Sequence, residues 1–205
     1  MSSQSSKRRY RKRARAEGEA LTRARITEAA MNLHGSVGPA HTTISAVAEQ
    51  AGVQRGTVYR HFPDEAALFG ACSAHWYSLH PPPDGEAWGE IADPDERLRV
   101  ALGELYAWYG SDEQMFANTF RDAPLVPSMQ APFEAMRAQF EALMATLAQG
   151  RRERGRGSVR TLAAIAHAMS FPTWRSLTRD GGLRDEEAVE LMLATVAAAA
   201  DLRRS

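Results

Sequence analysis

Apolar residues along the chain recur at three- and four-residue steps, and the breaks between such runs fall at Gly and Pro. From about Glu19, the residues Leu21, Ile26, Ala29, Ala30 and Leu33 mark one face of a first helix, which ends at Gly35 and the Gly38-Pro39 breaker. Thr42 or Thr43 can cap a second helix through Ile44, Val47 and Ala48 to about Ala51, because a hydroxyl there satisfies an otherwise orphan backbone N–H. Gly52 stops that helix. A short third one, Gln54 to about His61, carries Val58 inward and ends at Phe62-Pro63. Asp64 to about Leu79 reads as a fourth, with Leu68, Phe69, Cys72 and Trp76 on its apolar stripe.

After the breaker Pro81-Pro82-Pro83-Asp84-Gly85, helical patterns resume at about 94–109, 112–121, 128–149, 159–177 and 184–202. Alternating β-branched runs are missing. The pattern predicts an all-α protein of about nine helices, with a three-helix N-terminal head and a helical body. The expected segments are a basic, disordered arm over 1–18, a head over 19–79 and a C-terminal helical body over 80–205.

Charge sharpens this division. The net formal charge is zero, yet residues 1–62 hold 11 Lys and Arg against 4 Asp and Glu, while residues 63–205 hold 14 against 21. A basic head suits a polyanion, whereas an acidic body would repel one and suits a sensing or assembly role. The run Lys7-Arg8-Arg9-Tyr10-Arg11-Lys12-Arg13 has almost no aliphatic content and is expected to be disordered alone, as a DNA-following arm or a solubilising tail.

The stretch from Thr43 to Phe62 has the spacing of a helix-turn-helix. Small Ala48 lets two helices approach, Gly52 makes the turn, and Val47, Val53 and Val58 fill the wedge. No acidic residue interrupts Ala51 to Pro63. The outward residues of the third helix are donors and aromatics, which suit phosphates and base edges. Arg55, Thr57 and Gln54 are assigned to base reading. Tyr59 and His61, with the N–H groups and hydroxyls at Thr42 and Thr43, are assigned to phosphates. Gly56 and Arg60 complete the expected DNA-binding set.

These residues resemble a known family. The first helix, Ile44-Ser45-Ala46-Val47-Ala48-Glu49-Gln50-Ala51-Gly52-Val53, and Gly56-Thr57-Val58-Tyr59-Arg60-His61-Phe62 are similar to the DNA-binding head of TetR-family transcriptional regulators over about residues 20–77. The resemblance implies a homodimer holding two heads in successive major grooves, and a helical body that binds a small effector and dimerises through its last two helices. Two positions depart from the family's usual pattern: Gln54 stands where Ser or Thr often begins the recognition helix, and Glu65 where a Lys often follows the Phe.

In the body, Trp76, Trp108, Tyr109, Phe116, Phe120, Met136, Phe140 and Trp174 are the expected ligand-binding residues, since Met and aromatic side chains line adaptable apolar pockets as readily as they build cores. An apolar or aromatic effector would fit them. Stripes at Leu162, Ile165, Ala166, Met169 and Thr173, and at Val189, Met192, Leu193, Val196 and Ala200, fit an intermolecular four-helix bundle or, alternatively, packing within the chain.

A lone Cys72, no secretory h-region and no membrane-length apolar run point to a soluble cytoplasmic protein that does not enter a membrane. His spacing supports no metal site, and no phosphate-binding or nucleophile motif is present, so neither cofactor nor catalysis is expected. The resemblance implies a repressor released from a palindromic operator by a small, largely apolar effector. The alternatives are a DNA-binding regulator without such an effector and, further off, an enzyme.

Overall fold

The structure is a computed structural model that describes the backbone of residues 2–201 and the side chains of residues 9–201. Among the described residues every regular element is helical. There are eleven α-helices, α1 Ser2–Ser36, α2 Ile44–Gln50, α3 Arg55–His61, α4 Glu65–Leu79, α5 Gly85–Gly89, α6 Pro94–Ser111, α7 Glu113–Asp122, α8 Gln130–Ala148, α9 Arg156–Ala168, α10 Phe171–Arg175 and α11 Asp185–Asp201. Among the same residues, no helix is long and apolar enough to cross a membrane.

Eleven helices replace the nine predicted. The Pro-rich breaker leads into α5, whose N-cap Asp84 accepts from the Glu86 N–H at 3.0 Å. The predicted 159–177 helix is cut at Ser170, which caps α10, because Pro172 in the first turn has no N–H to continue α9. A π-helical turn, Ser176–Asp180, then leads toward α11. The predicted last residue of the final helix, Leu202, lies outside the described residues.

The largest difference lies at the N-terminus. The segment expected as a disordered arm is helical, and α1 begins at Ser2 instead of near Glu19. Its Arg, Lys, Ala and Glu content is helix-forming, and Arg13 to Glu17 and Arg15 to Glu19 pair one turn apart at 2.8 and 3.0 Å. Leu21, predicted on the buried stripe, is 68% exposed, and burial starts at Ile26. The Lys7 and Arg8 side chains of the predicted basic run lie outside the described side chains.

Two compact units divide the chain. One comprises residues 1–79 together with 117–132; the other comprises 80–116 together with 133–205. The first unit is therefore discontinuous: after Leu79 it takes the second half of α7 and the turn at Pro127–Met129. Its core joins Ile26, Ala29 and Ala30 of α1 to Val47 and Ala48 of α2, Val58 of α3 and Leu68, Phe69, Cys72 and Trp76 of α4.

The second unit is built on α6, which buries Leu98, Ala101, Leu102, Leu105, Tyr106 and Tyr109. Helices α9 and α11 pack on each other, and α11 packs on α6. Ile165, Met169, Val189, Met192 and Val196, read in the sequence as candidates for an intermolecular seam, are buried inside this unit. Packing within the chain takes up these five because α6 supplies a third apolar helix, while Leu162 stays exposed and Ala166, Leu193 and Ala200 half-buried.

Candidate nucleic-acid interface

The geometry of the head follows from local chemistry. Thr43 accepts the Ala46 N–H at 3.1 Å and so fixes the start of α2. Gly52 takes φ +64°, a left-handed turn that a side chain would strain, and Val53 N–H returns to the Ala48 carbonyl at 2.9 Å. Val58 is fully buried and anchors α3. With that residue held inward, Gln54, Arg55, Gly56, Tyr59 and Arg60 are exposed, and Thr57 and His61 are half-buried.

The predicted DNA-binding set therefore lies together on α3 and at the start of α2. Its members differ in what they have left to offer. Gln54 is the N-cap of α3 but makes no side-chain capping bond, so its amide is available at the surface. The Thr43 oxygen serves as a cap acceptor, which leaves its O–H to donate. The Thr42 hydroxyl already donates to the Gly38 carbonyl at 2.9 Å, so that position offers an oxygen acceptor and not a free donor. The His61 Nε2 is buried without a hydrogen-bond partner.

Two groups of residues that the sequence pattern does not single out hold this face in place. Arg23 of α1 donates to the His61 carbonyl at 2.6 Å, and its guanidinium stacks 4.0 Å from the Phe62 ring centroid, fixing the end of α3. At the other end of α1, Asn118 donates to the carbonyls of His34 and Gly35 at 3.1 and 2.8 Å, and Arg121 donates to Val37 at 3.1 Å. Asp122 accepts the Ala40 N–H at 3.0 Å. The Arg121 guanidinium bonded to it holds the Asp122 carboxyl below its usual range. Gly38, at φ +97°, lies so close to Arg121 and Asp122 that a Cβ there would collide with both.

Beneath this surface, His34 and Cys72 meet at 3.3 Å between Nδ1 and Sγ. Burial lowers the His34 pKa to about 4, against a raising influence from Asp122, and pushes the Cys72 thiol up to about 12. Neither group carries charge near neutral pH.

The expected ligand-binding residues are shared between the two units. Trp76 and Phe120 belong to the first unit, and the other six to the second. There, Trp108, Tyr109, Phe116 and Trp174 join Phe171 in a ring cluster with centroid separations of 4.8–5.9 Å. The Tyr109 hydroxyl donates to the Met169 carbonyl at 2.7 Å and the Trp174 indole to Asp185 at 2.9 Å. These bonds give both side chains core roles. Met136 and Phe140 sit on α8, whose apolar row Phe133, Met136, Phe140, Leu143 and Met144 is only half-buried; Leu147 alone on that helix is fully buried.

An open cavity of about 550 Å³ lies elsewhere in this unit, lined by Pro94, Asp95, Gly150 to Glu153, Ala200 and Asp201. Its walls are polar and of mixed charge, and none of the predicted ligand residues lines it. Among the described residues, no group of three His, Cys, Asp or Glu side chains is arranged to hold a metal ion.

Residues 26–72, the helix-turn-helix with the helices before and after it, match the family model for bacterial regulatory proteins of the tetR family. Residues 26–72 are thus a head of the tetR-family type. No curated protein matches it by sequence. Among solved structures it is similar to a tetR-family transcriptional regulator from Streptomyces coelicolor, at 17% identity and a TM-score of 0.60 over 87% of this chain and 79% of that one. It is also similar to the TetR family regulator PfmR from Thermus thermophilus, at 23% identity and 0.57 over 83% and 96%. A third is NalD of Pseudomonas aeruginosa, the secondary repressor of the MexAB-OprM multidrug efflux pump, at 21% identity and 0.59 over 89% and 97%. At these identities the likeness is one of fold, and it extends the TetR-type architecture from the matched head through the body.

Proposed function

We propose that the chain is a TetR-family regulator that reads a two-fold operator as a homodimer and acts as a repressor released by a small apolar effector. The observation that carries the DNA-reading part is α3 itself: a helix pinned inward by Val58 that exposes Gln54, Arg55, Tyr59 and Arg60 with no carboxylate from Ala51 to Pro63. Arg55, Thr57 and Gln54 read base edges in the major groove. Tyr59, the Thr43 hydroxyl and the N–H groups at the start of α2 bind phosphates, with Arg60, His61 and Gly56 lying along the backbone.

Dimerisation is supported by a second apolar row on each terminal helix, separate from the buried stripes. Val159, Leu162, Ala163 and Ala166 share one face of α9, and Leu191, Ala194, Thr195 and Ala198 share one face of α11. Val159 and Leu191 are 54% and 44% exposed, and the small residues beside them permit close helix approach. Pairing these rows about a two-fold axis covers them, and heads about 34–36 Å apart would then meet successive grooves.

The effector reading rests on α8. Its half-buried row, with Met136 and Phe140 at the centre, offers adaptable apolar walls for a ligand, and Trp108 and Phe116 supply aromatic surface in the same unit. Such a ligand releases DNA only by binding the non-operator geometry better, by about 1–3 kcal/mol in typical couplings. The tight ring cluster around Tyr109 and Trp174 favours a second reading, a regulator that responds to a protein partner or to none.

Selection of duplexes from a random-sequence pool, followed by fluorescence anisotropy across a salt series, tests the DNA reading. A palindromic consensus bound specifically by the wild type and lost with Tyr59→Ala is the expected result; equal, salt-labile binding to every duplex would refute it. Titrating the bound complex with 1-anilinonaphthalene-8-sulfonate tests the effector reading. Binding that Phe140→Ala abolishes supports an α8 site, and no binding favours the second reading.

A further inference from the structure

Before Ile26, α1 covers little beyond the end of α3, where Arg23 lies on Phe62: of residues 9–25 all but the half-buried Thr22 are exposed. Isolated helices of this length are marginal in water, and Gly18 lowers the propensity by about 1 kcal/mol, so a helix here gains from a surface to lie against. Its described basic residues fall on two opposite faces. At about 100° per residue, Arg9, Lys12, Arg13 and Arg23 fall within an arc of about 100°, with Ala16 and Ala20 between them. Arg11, Arg15 and Arg25 fall on the opposite side.

Arg23 fixes where the first of these faces looks. It is the residue bonded to the His61 carbonyl and stacked on Phe62, at the end of α3. The ridge from Arg23 back to Arg9 therefore continues the side of the head on which the recognition helix ends. Ala16 and Ala20 keep its middle low, so that a backbone can approach. Arg9 and Lys12 enter no ion pair among the described residues, and Arg13 has only an exposed Glu17 as partner.

We propose that this basic ridge is a second DNA-contacting element, a rigid helix lying along the phosphates that flank the site read by α3. The proposal rests on the DNA reading of α3. Fourteen residues of helix span about 21 Å, so the ridge reaches about six base pairs beyond Arg23. The contacts are to phosphates, carry no sequence preference and add to affinity through counterion release.

The test compares the wild type with R9Q/K12Q/R13Q and R11Q/R15Q/R25Q, which remove equal charge from opposite faces while Gln preserves helix propensity. The DNA is the duplex the wild type selects from a random pool, flanked by ten base pairs on each side. Anisotropy over a sodium chloride series and hydroxyl-radical footprinting are the readouts. The first variant should lower the salt slope by about 0.9 for each phosphate no longer neutralised, up to about 2.7 per head, and shorten each flank of the footprint by about six base pairs. The second should leave the footprint unchanged. Equal effects of the two variants would overturn the proposal in favour of an unstructured cationic tail. An unchanged slope would overturn it outright, and loss of binding to phosphatidylserine vesicles alongside that unchanged slope would assign the ridge to a lipid surface. If the wild type selects no consensus, the α3 reading fails and takes the ridge with it. A consensus with an unchanged slope removes the ridge alone.

Discussion

Replacing Arg97 by Met removes a buried cation, 4% exposed, that no carboxylate pairs with among the described residues. Its guanidinium instead serves backbone oxygens: Nε and one terminal nitrogen donate to the Ile91 carbonyl at 2.9 and 2.6 Å, and the other nitrogen donates to Thr146 and Gln149 at 3.1 and 2.7 Å. Thr146 and Gln149 lie at the C-terminal end of α8, where helix carbonyls run short of intrahelical donors; among the described residues Thr146 otherwise accepts only the Gln149 N–H, at 3.2 Å. Met fills similar volume but leaves the Ile91 and Gln149 carbonyls without a donor, at about 1–3 kcal/mol each, and takes one of two donors from Thr146, partly offset because no charge need be buried. A net loss of about 3 kcal/mol follows, which lowers Tm by about 10 °C for a chain of this size. Thermal unfolding followed by tryptophan fluorescence reads the right part of the molecule, since Trp88, Trp108 and Trp174 all lie in the second unit. Arg97→Lys should recover less than half of the loss, because one ammonium cannot span the three acceptors. A Tm for Arg97→Met within about 3 °C of the wild type would refute the reasoning and mean that those carbonyls find water instead.

Three further outcomes follow from the head. The His34 pKa of about 4 lies below its unfolded value of 6.5, so the unfolded state binds the extra proton. Head stability should therefore fall by about 3 kcal/mol as pH drops from 6.5 to about 4, and His34→Gln should flatten that slope in urea titrations. Cys72, buried and with its thiol pushed up to about 12, should resist 5,5′-dithiobis(2-nitrobenzoate) at pH 8 in the native protein and react at once in guanidinium; rapid native labelling would contradict the packing. Thr43→Ala removes the α2 cap, which should cost about 1 kcal/mol by denaturant unfolding and, on the phosphate-binding role proposed for its hydroxyl, weaken operator binding further than that loss explains.

The helix-turn-helix was legible because its signals are local. A threonine cap, a glycine in the left-handed region and a valine wedge all act within twenty residues, so their spacing alone orders α2 and α3. Ser170 and Pro172 are equally local and announce α10, yet the apolar periodicity running across them masked the break. The basic N-terminus misled in the opposite direction, because composition weighs charge and ignores the Arg13 to Glu17 and Arg15 to Glu19 steps. What no local pattern could reveal is Asn118, Arg121 and Asp122, which act on residues more than eighty positions earlier. The aromatic residues of the body show the same limit, since Tyr109 and Phe140 look alike in sequence and differ only in what surrounds them.

The head is discontinuous along the chain, and this bears on how such a protein can be taken apart. An excision ending at Leu79 would strip the partners from the His34, Gly35 and Val37 carbonyls and from the Ala40 amide, and would leave Gly38 beside an empty notch. A hybrid regulator that joins these first 79 residues to another protein's sensor would inherit that defect unless residues 117–132 travel with them. The exchangeable part is smaller than a domain. It is the exposed surface of α3, which can be rewritten side chain by side chain while the scaffold beneath it stays whole.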